Sequence, residues 1–168
     1  MPLIKKMEMI VHSISVQSHQ AVIEAVSERD NKKIVFYLSS VVPLFTKDGS
    51  PIGISAIPVK SKIIAYVNSR KPLPMVHPPQ VQPLLIILEQ HHIEGEVAVG
   101  RFDERLYSEQ LKLKLHLKNE TEMVNIRGNA LTKEHLANQM LIVFYKTVTH
   151  SMPVQTNPTK IIVAPNIE

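Results

Sequence analysis

The chain contains no cysteine and no tryptophan, and only five of its 168 residues are glycine. Without cysteine there is no disulfide framework, no thiolate ligand for zinc and no thiol nucleophile. This composition suits a reducing compartment. Scarce glycine excludes more. Nucleotide-cradling loops need glycine so that backbone amides can approach phosphate, and neither G-x-x-x-x-G-K-[ST] nor G-x-G-x-x-G occurs. Aromatic residues are also few, four Phe and four Tyr, and scattered. They form no stacking platform of the kind sequence-reading RNA modules use. No apolar run approaches the roughly 20 residues that a membrane-spanning helix requires. Lys5 and Lys6 open the chain, but Glu8 and His12 interrupt the apolar residues after them, so no signal-peptide core forms. Any membrane contact is expected to be peripheral.

Positive charge is present in modest excess. Nineteen Lys and Arg stand against fifteen Asp and Glu, a formal net charge of +4, which favours anionic partners such as phosphates or acidic lipid headgroups. The most regular pattern is Leu111 to Lys118, LKLKLHLK. Its leucines fall on one face of a strand, and Lys112, Lys114, His116 and Lys118 fall on the other. Alternate positions stand about 7 Å apart, near the spacing of phosphates along a nucleic-acid strand. A polar outer face is also what any antiparallel sheet with one wet side requires.

Around this segment the pattern predicts an α+β fold, a single compact domain over residues 1–168 with an antiparallel sheet packed against two or three helices. Residues 3–17 read as a strand. A helix follows Ser18, with Ala21, Val22, Ala25 and Val26 at helical spacing. Further strands are expected over 34–42, 52–59, 62–67, 84–90 and 93–99, with 123–127 as hairpin partner of the cationic strand. Thr132 caps a last helix whose stripe is Leu136, Ala137, Met140, Leu141 and Phe144. Residues 70–83 hold five prolines, which cannot donate ladder hydrogen bonds, so they read as a loop. Residues 150–168 read as an extended C-terminal segment.

Two further features carry candidate chemistry. His91-His92-Ile93-Glu94 puts His92 and Glu94 on one strand face, with His116 or His135 as a conceivable third ligand. Zinc sites announce themselves by paired spacings, and this cluster does not, so no metal, cofactor or catalytic residue is assigned. The apolar members of the Pro-rich loop, Leu73, Met75 and Val76, mark either an association surface or a loop folded onto the core. The neighbouring His77-Pro78-Pro79-Gln80 lacks the tyrosine of a P-P-x-Y adaptor motif.

Several stretches, in order, resemble the matrix proteins of rhabdoviruses. They are AVIEAVSERD (21–30), IVFYLSS (34–40), HIEG (92–95), RLYSEQLKLKLHLKNETE (105–122) and KEHLANQMLIVFYK (133–146). Animal-virus members carry a long lysine-rich arm with proline–tyrosine budding motifs. Here the folded pattern begins almost at Met1, which likens the chain to the short, plant-infecting, cytorhabdovirus-like type. The resemblance implies a non-enzymatic virion protein beneath the envelope, also found in host cytoplasm at membranes, with the nucleus as a further location. It implies self-association, condensation of the nucleoprotein–RNA complex, adhesion to the anionic inner membrane face, contact with a viral glycoprotein tail, and a part in budding. The basic residues implied in membrane or ribonucleoprotein contact are Lys5, Lys6, Lys32, Lys33, Lys112, Lys114 and Lys118. Leu73, Met75 and Val76 are implied in self-association. A sequence-nonspecific nucleic-acid-binding movement or capsid protein is the alternative.

Overall fold

The computed structural model describes residues 4–70 and 76–165. They form fourteen strands and two short 3-10 turns; no α-helix occurs among the described residues. The chain divides into two compact units, residues 1–46 with 50–92, and residues 47–49 with 93–168.

Unit 1 is built on one seven-stranded sheet. Its strands are β1 (Ile4–Gln17), β2 (Gln20–Ser27), β3 (Lys33–Ser39), β4 (Leu44–Thr46), β5 (Lys62–Asn68), β6 (Gln80–Val81) and β7 (Leu85–Glu89). They lie in the order β4-β7-β5-β1-β2-β3-β6. β1 is long enough to serve two partners: Ile4 to Ile10 pair with β5, and Met9 to Gln17 pair with β2. The β1–β2 register slips at His12, an extra residue between Val11, opposite Ala25, and Ser13, opposite Glu24. Such a bulge moves later side chains one step in phase. Accordingly Met9 and Val11 are in the core before it, and Ile14 packs against the core after it. Ile23, Phe36, Ile57, Ile63 and Ile86 are among the other residues of that core.

Unit 2 is a two-layer sandwich. A four-stranded sheet takes the order β11-β14-β12-β8, from β8 (Glu96–Phe102), β11 (Glu122–Asn125), β12 (Gln139–Tyr145) and β14 (Lys160–Val163). A small sheet, β13-β10-β9, is made of β9 (Tyr107–Ser108), β10 (Leu113–Leu115) and β13 (Val154–Thr156). Phe102, Leu113, Leu115, Leu136, Leu141, Val143, Ile161 and Val163 fill the space between the layers. Burying each such side chain contributes roughly 1.5–3 kcal/mol. Gly49, at φ +89°, is one position where glycine is required: a Cβ there would stand 2.7 Å from Lys160 Cδ and 3.1 Å from the Phe144 ring.

The fold class corrects the α+β expectation. Both predicted helices are strands. Ala21, Ile23 and Ala25 alternate into the core as β2. This short Ala/Val segment satisfies periods of 2 and 3.6 equally, and its β-branched residues and cross-strand partners decide. The stripe from Leu136 to Phe144 is part of a continuous apolar run, QMLIVFY, buried on both faces of β12. Thr132 does cap a turn, but only a single 3-10 turn, Lys133–His135, and Asn138 at φ +58° then redirects the chain into β12. The strand expected over 52–59 is a loop carrying the 3-10 turn Ile54–Ala56. β11 pairs in parallel with β14 and is not the hairpin partner of the cationic strand.

Candidate anion-binding site

The cationic strand is shorter than its alternation implies. Only Leu113–Leu115 is regular strand, because Lys112 takes a left-handed backbone, φ +54°, and breaks the run. Leu111 therefore lies 37% exposed, with its side chain against Gly100. Lys112 turns to Glu109, with Nζ 2.8 Å from Oε1. That pair holds the Lys112 ammonium above its ordinary range, chiefly through the hydrogen bond to Glu109. Past the break the alternation holds. Leu113 and Leu115 are buried, while Lys114 and His116 face outward.

Lys114 and His116 line a depression of about 410 Å³, and two cations from other segments join them, Arg105 and Lys133. Among the described residues, Glu104 is the one carboxylate in its wall. Each wall segment is anchored by a leucine of the unit 2 core. Leu106 sits behind Arg105, Leu115 between Lys114 and His116, and Leu136 behind Lys133.

Local hydrogen bonding then sets the loops. Asp103 Oδ1 accepts the backbone N–H groups of Arg105 at 2.9 Å and Tyr107 at 3.0 Å, the pattern of an Asx turn. Leu106 takes φ +61° to close that turn. Lys114 Nζ donates to the Arg105 carbonyl, tying the loop to β10. The Asp103 carboxyl is held below its ordinary range, first by the Tyr107 and Arg105 amides and then by the charges of Lys114 and Arg105. Asp103 is not in the wall, its Oδ1 being turned to the backbone. On the opposite side, Thr132 N–H donates to His135 Nδ1 at 3.1 Å and fixes the turn bearing Lys133. His116 Nε2–H donates to Gln155 Oε1 on β13. The result is one Arg and two Lys side chains, and a histidine, facing one space against one carboxylate. Such a hollow recognises phosphate or carboxylate groups by charge and by Arg/Lys donors, without reading sequence.

No family model, curated protein or solved structure matches the chain.

The other basic residues singled out in the sequence lie elsewhere. Lys5, Lys6 and Lys32 line a larger hollow in unit 1, about 630 Å³, together with Arg29. Glu8, Glu28 and Asp30 line it too. Lys6 stands 3.9 Å from Glu8, and Lys32 3.9 Å from Asp30. The Asp30 carboxyl is held below its ordinary range, first by the Lys32 backbone amide. Lys33 is exposed at the start of β3, and Lys118 is exposed in the turn closed by Thr121. Leu73 and Met75 lie outside the described residues, and Val76 is half exposed. His91, His92 and Glu94 occupy an exposed turn between β7 and β8. Among the described residues, no group of three His, Asp or Glu stands close enough to share a metal ion.

Sequence reasoning missed Arg105 and Lys133 as site residues. The signal for Arg105 was available in Asp103-Glu104-Arg105, since Asp two residues before an ordered turn position is the mark of an Asx turn. For Lys133 no local signal exists, because only the sandwich brings its turn beside β10.

Proposed function

We propose that this protein is a non-catalytic binding and assembly protein of the viral matrix type. It grips anionic partners, ribonucleoprotein phosphates and acidic headgroups of the inner envelope leaflet, through the unit 2 depression, and it associates with its own copies. The observation that carries this reading is the convergence of Arg105, Lys114 and Lys133, from three separate segments, on one hollow with a single acid. Two of the stretches that resemble rhabdovirus matrix proteins are strands where helices were implied. The support therefore comes from the surface chemistry, and the viral setting is what the remaining ordered stretches suggest. Near an anionic membrane each basic residue is worth about 1 kcal/mol, so three acting together give useful, salt-sensitive adhesion.

The test is flotation with phosphatidylserine vesicles and, in parallel, binding to a mixed-sequence single-stranded RNA at several salt concentrations. Matrix function predicts binding in both assays and concentration-dependent self-association in sedimentation. RNA binding alone, without vesicle binding or self-association, supports instead the sequence-nonspecific nucleic-acid binder, which would use the same depression. Binding in neither assay overturns both.

A further inference from the structure

We infer that the outer half of β1, Ser13 to Gln17, is a docking edge for the same strand of a second copy of this chain. The inference deepens the self-association part of the proposed function and rests on it.

Before His12, Val11 turns its backbone toward the β5 side. Its N–H donates to the Ser61 carbonyl at 2.9 Å, and its carbonyl accepts from Lys60 N–H at 2.7 Å. The β1–β5 ladder ends at Ile10 and Lys62. Because successive residues turn their backbone groups to opposite edges and the bulge adds one residue, Ile14 and Val16 take up the side that Val11 left. The hairpin agrees. Gln17 and Gln20 flank the two-residue Ser18-His19 turn as its closing pair, so Gln17, Ser15 and Ser13 bond to β2. Among the described residues, no backbone hydrogen bond reaches Ile14 or Val16 from the open side. Val16 is 60% exposed.

Sheets seldom leave such an edge bare. Lysines, prolines or a covering segment blunt it. In this chain the outer side of β4 is closed by its own return at Ser50 to Ile52, and that of β11 by Asn129 to Leu131. The segment Ser13-Ile14-Ser15-Val16-Gln17 has no blocking residue and no charge.

That neutrality points to the occupant. Elsewhere a molecule of net charge +4 opposes its own copy, whereas this strip meets its duplicate without like charges. The geometry is also self-complementary. Antiparallel pairing about Ser15 sets Ile14 opposite Val16 of the copy, and the reverse, so that two reciprocal pairs supply four backbone hydrogen bonds. Ser15 then faces the copy's Ser15 as a non-hydrogen-bonded pair, with Cα atoms about 4.5 Å apart.

Because the chain has no cysteine, Ser15→Cys places a single thiol at the proposed two-fold, within the Cα separation a disulfide accepts. Ser55→Cys, at another exposed position, is the control. On mild oxidation Cys at 15 is expected to give a linked dimer as its main product, at least tenfold faster than Cys at 55. Equal rates overturn the inference. Val16→Pro removes the outward N–H at a position where no bond within the chain uses it. It is expected to move the self-association midpoint at least tenfold higher in concentration with an unchanged circular dichroism spectrum. Unaltered assembly gives the edge to some other partner and overturns the inference while self-association stands. An unmutated protein that sediments as a monomer at all concentrations removes both.

Discussion

In unit 1, four cations, Lys5, Lys6, Arg29 and Lys32, share a hollow of about 630 Å³ with three carboxylates. In unit 2, one Arg, two Lys and a histidine share about 410 Å³ with one. The larger hollow is richer in lysine and poorer as an anion site. The difference comes from where the acids sit in sequence. Lys6 and Glu8 are two apart on one strand, and Asp30 and Lys32 two apart around one turn, so two of the four cations stand within 4 Å of a carboxylate that is local in sequence. Arg105, Lys114 and Lys133 arrive from a loop, a strand and a 3-10 turn; among the described residues Glu104 is the one carboxylate in their wall, and Asp103, outside it, turns its Oδ1 to backbone amides. What matters is which segments converge, more than how many lysines a segment holds.

The largest effect is expected from reversing the three unit 2 cations together. Arg105→Glu, Lys114→Glu and Lys133→Glu combined should lower the apparent affinity for phosphatidylserine vesicles by roughly a hundredfold or more. Three residues at about 1 kcal/mol each suffice for that, since 1.4 kcal/mol is tenfold. A loss under threefold, in protein whose strand signal is unchanged, would remove the depression from the mechanism.

Next in size is Leu136→Ala. Leu136 is fully buried behind the turn that carries Lys133. Truncation should cost roughly 2–5 kcal/mol in a denaturant melt, the usual range for a core leucine, and should weaken anion binding through the displaced turn. A cost near zero would mean that the turn is held by its Thr132–His135 cap alone.

The sequence carried part of this. Alternation located Leu113, Lys114, Leu115 and His116 correctly, because a half-buried strand leaves a period-2 trace. It overran at Lys112, whose left-handed backbone no residue-type rule demands. β5 and β7 were legible from their β-branched and apolar content. β2 and β12 were not. Alanine and valine at 21, 22, 25 and 26 fit either period, and QMLIVFY, buried on both faces, has no amphipathic phase to read. For strand partners such as Glu122 with Lys160, sequence offers no signal at all, since a parallel pair is made by distant segments. The same holds for the depression. Its β10 residues were visible, and its other walls exist only because the sandwich closes.

Acid provides a finer probe. The Asp103 carboxyl has a depressed folded pKa, owing first to the Tyr107 amide and then to Arg105 and Lys114. A depressed carboxyl contributes stability that is present above its unfolded value, about 3.9, and is lost as pH falls through the folded value. The Arg105 loop should therefore loosen below about pH 4, read as weaker protection of the Tyr107 amide relative to its intrinsic exchange rate at each pH. Asp103→Asn keeps the Oδ1 acceptor and removes the titration, so its protection at Tyr107 should not weaken through that window. If the two proteins respond to acid alike, Asp103 does not hold the loop.

The smallest effect is expected from the larger hollow. Replacing Lys5, Lys6 and Lys32 together with Gln removes as many formal charges as the unit 2 set contains. Two of the three, however, already stand within 4 Å of a carboxylate, and exposed pairs of this kind contribute at most about 1 kcal/mol to anything. If anions dock at Arg105, Lys114 and Lys133, charges elsewhere act only through the long-range potential, which salt screens beyond about 8 Å at physiological ionic strength. Affinity for vesicles and for RNA should fall less than threefold at that ionic strength, and the residual difference should shrink further as salt is raised. A loss that matches the unit 2 reversal would show that both hollows engage the anion, and the local pairing of acid with base would then be no guide to which surface binds.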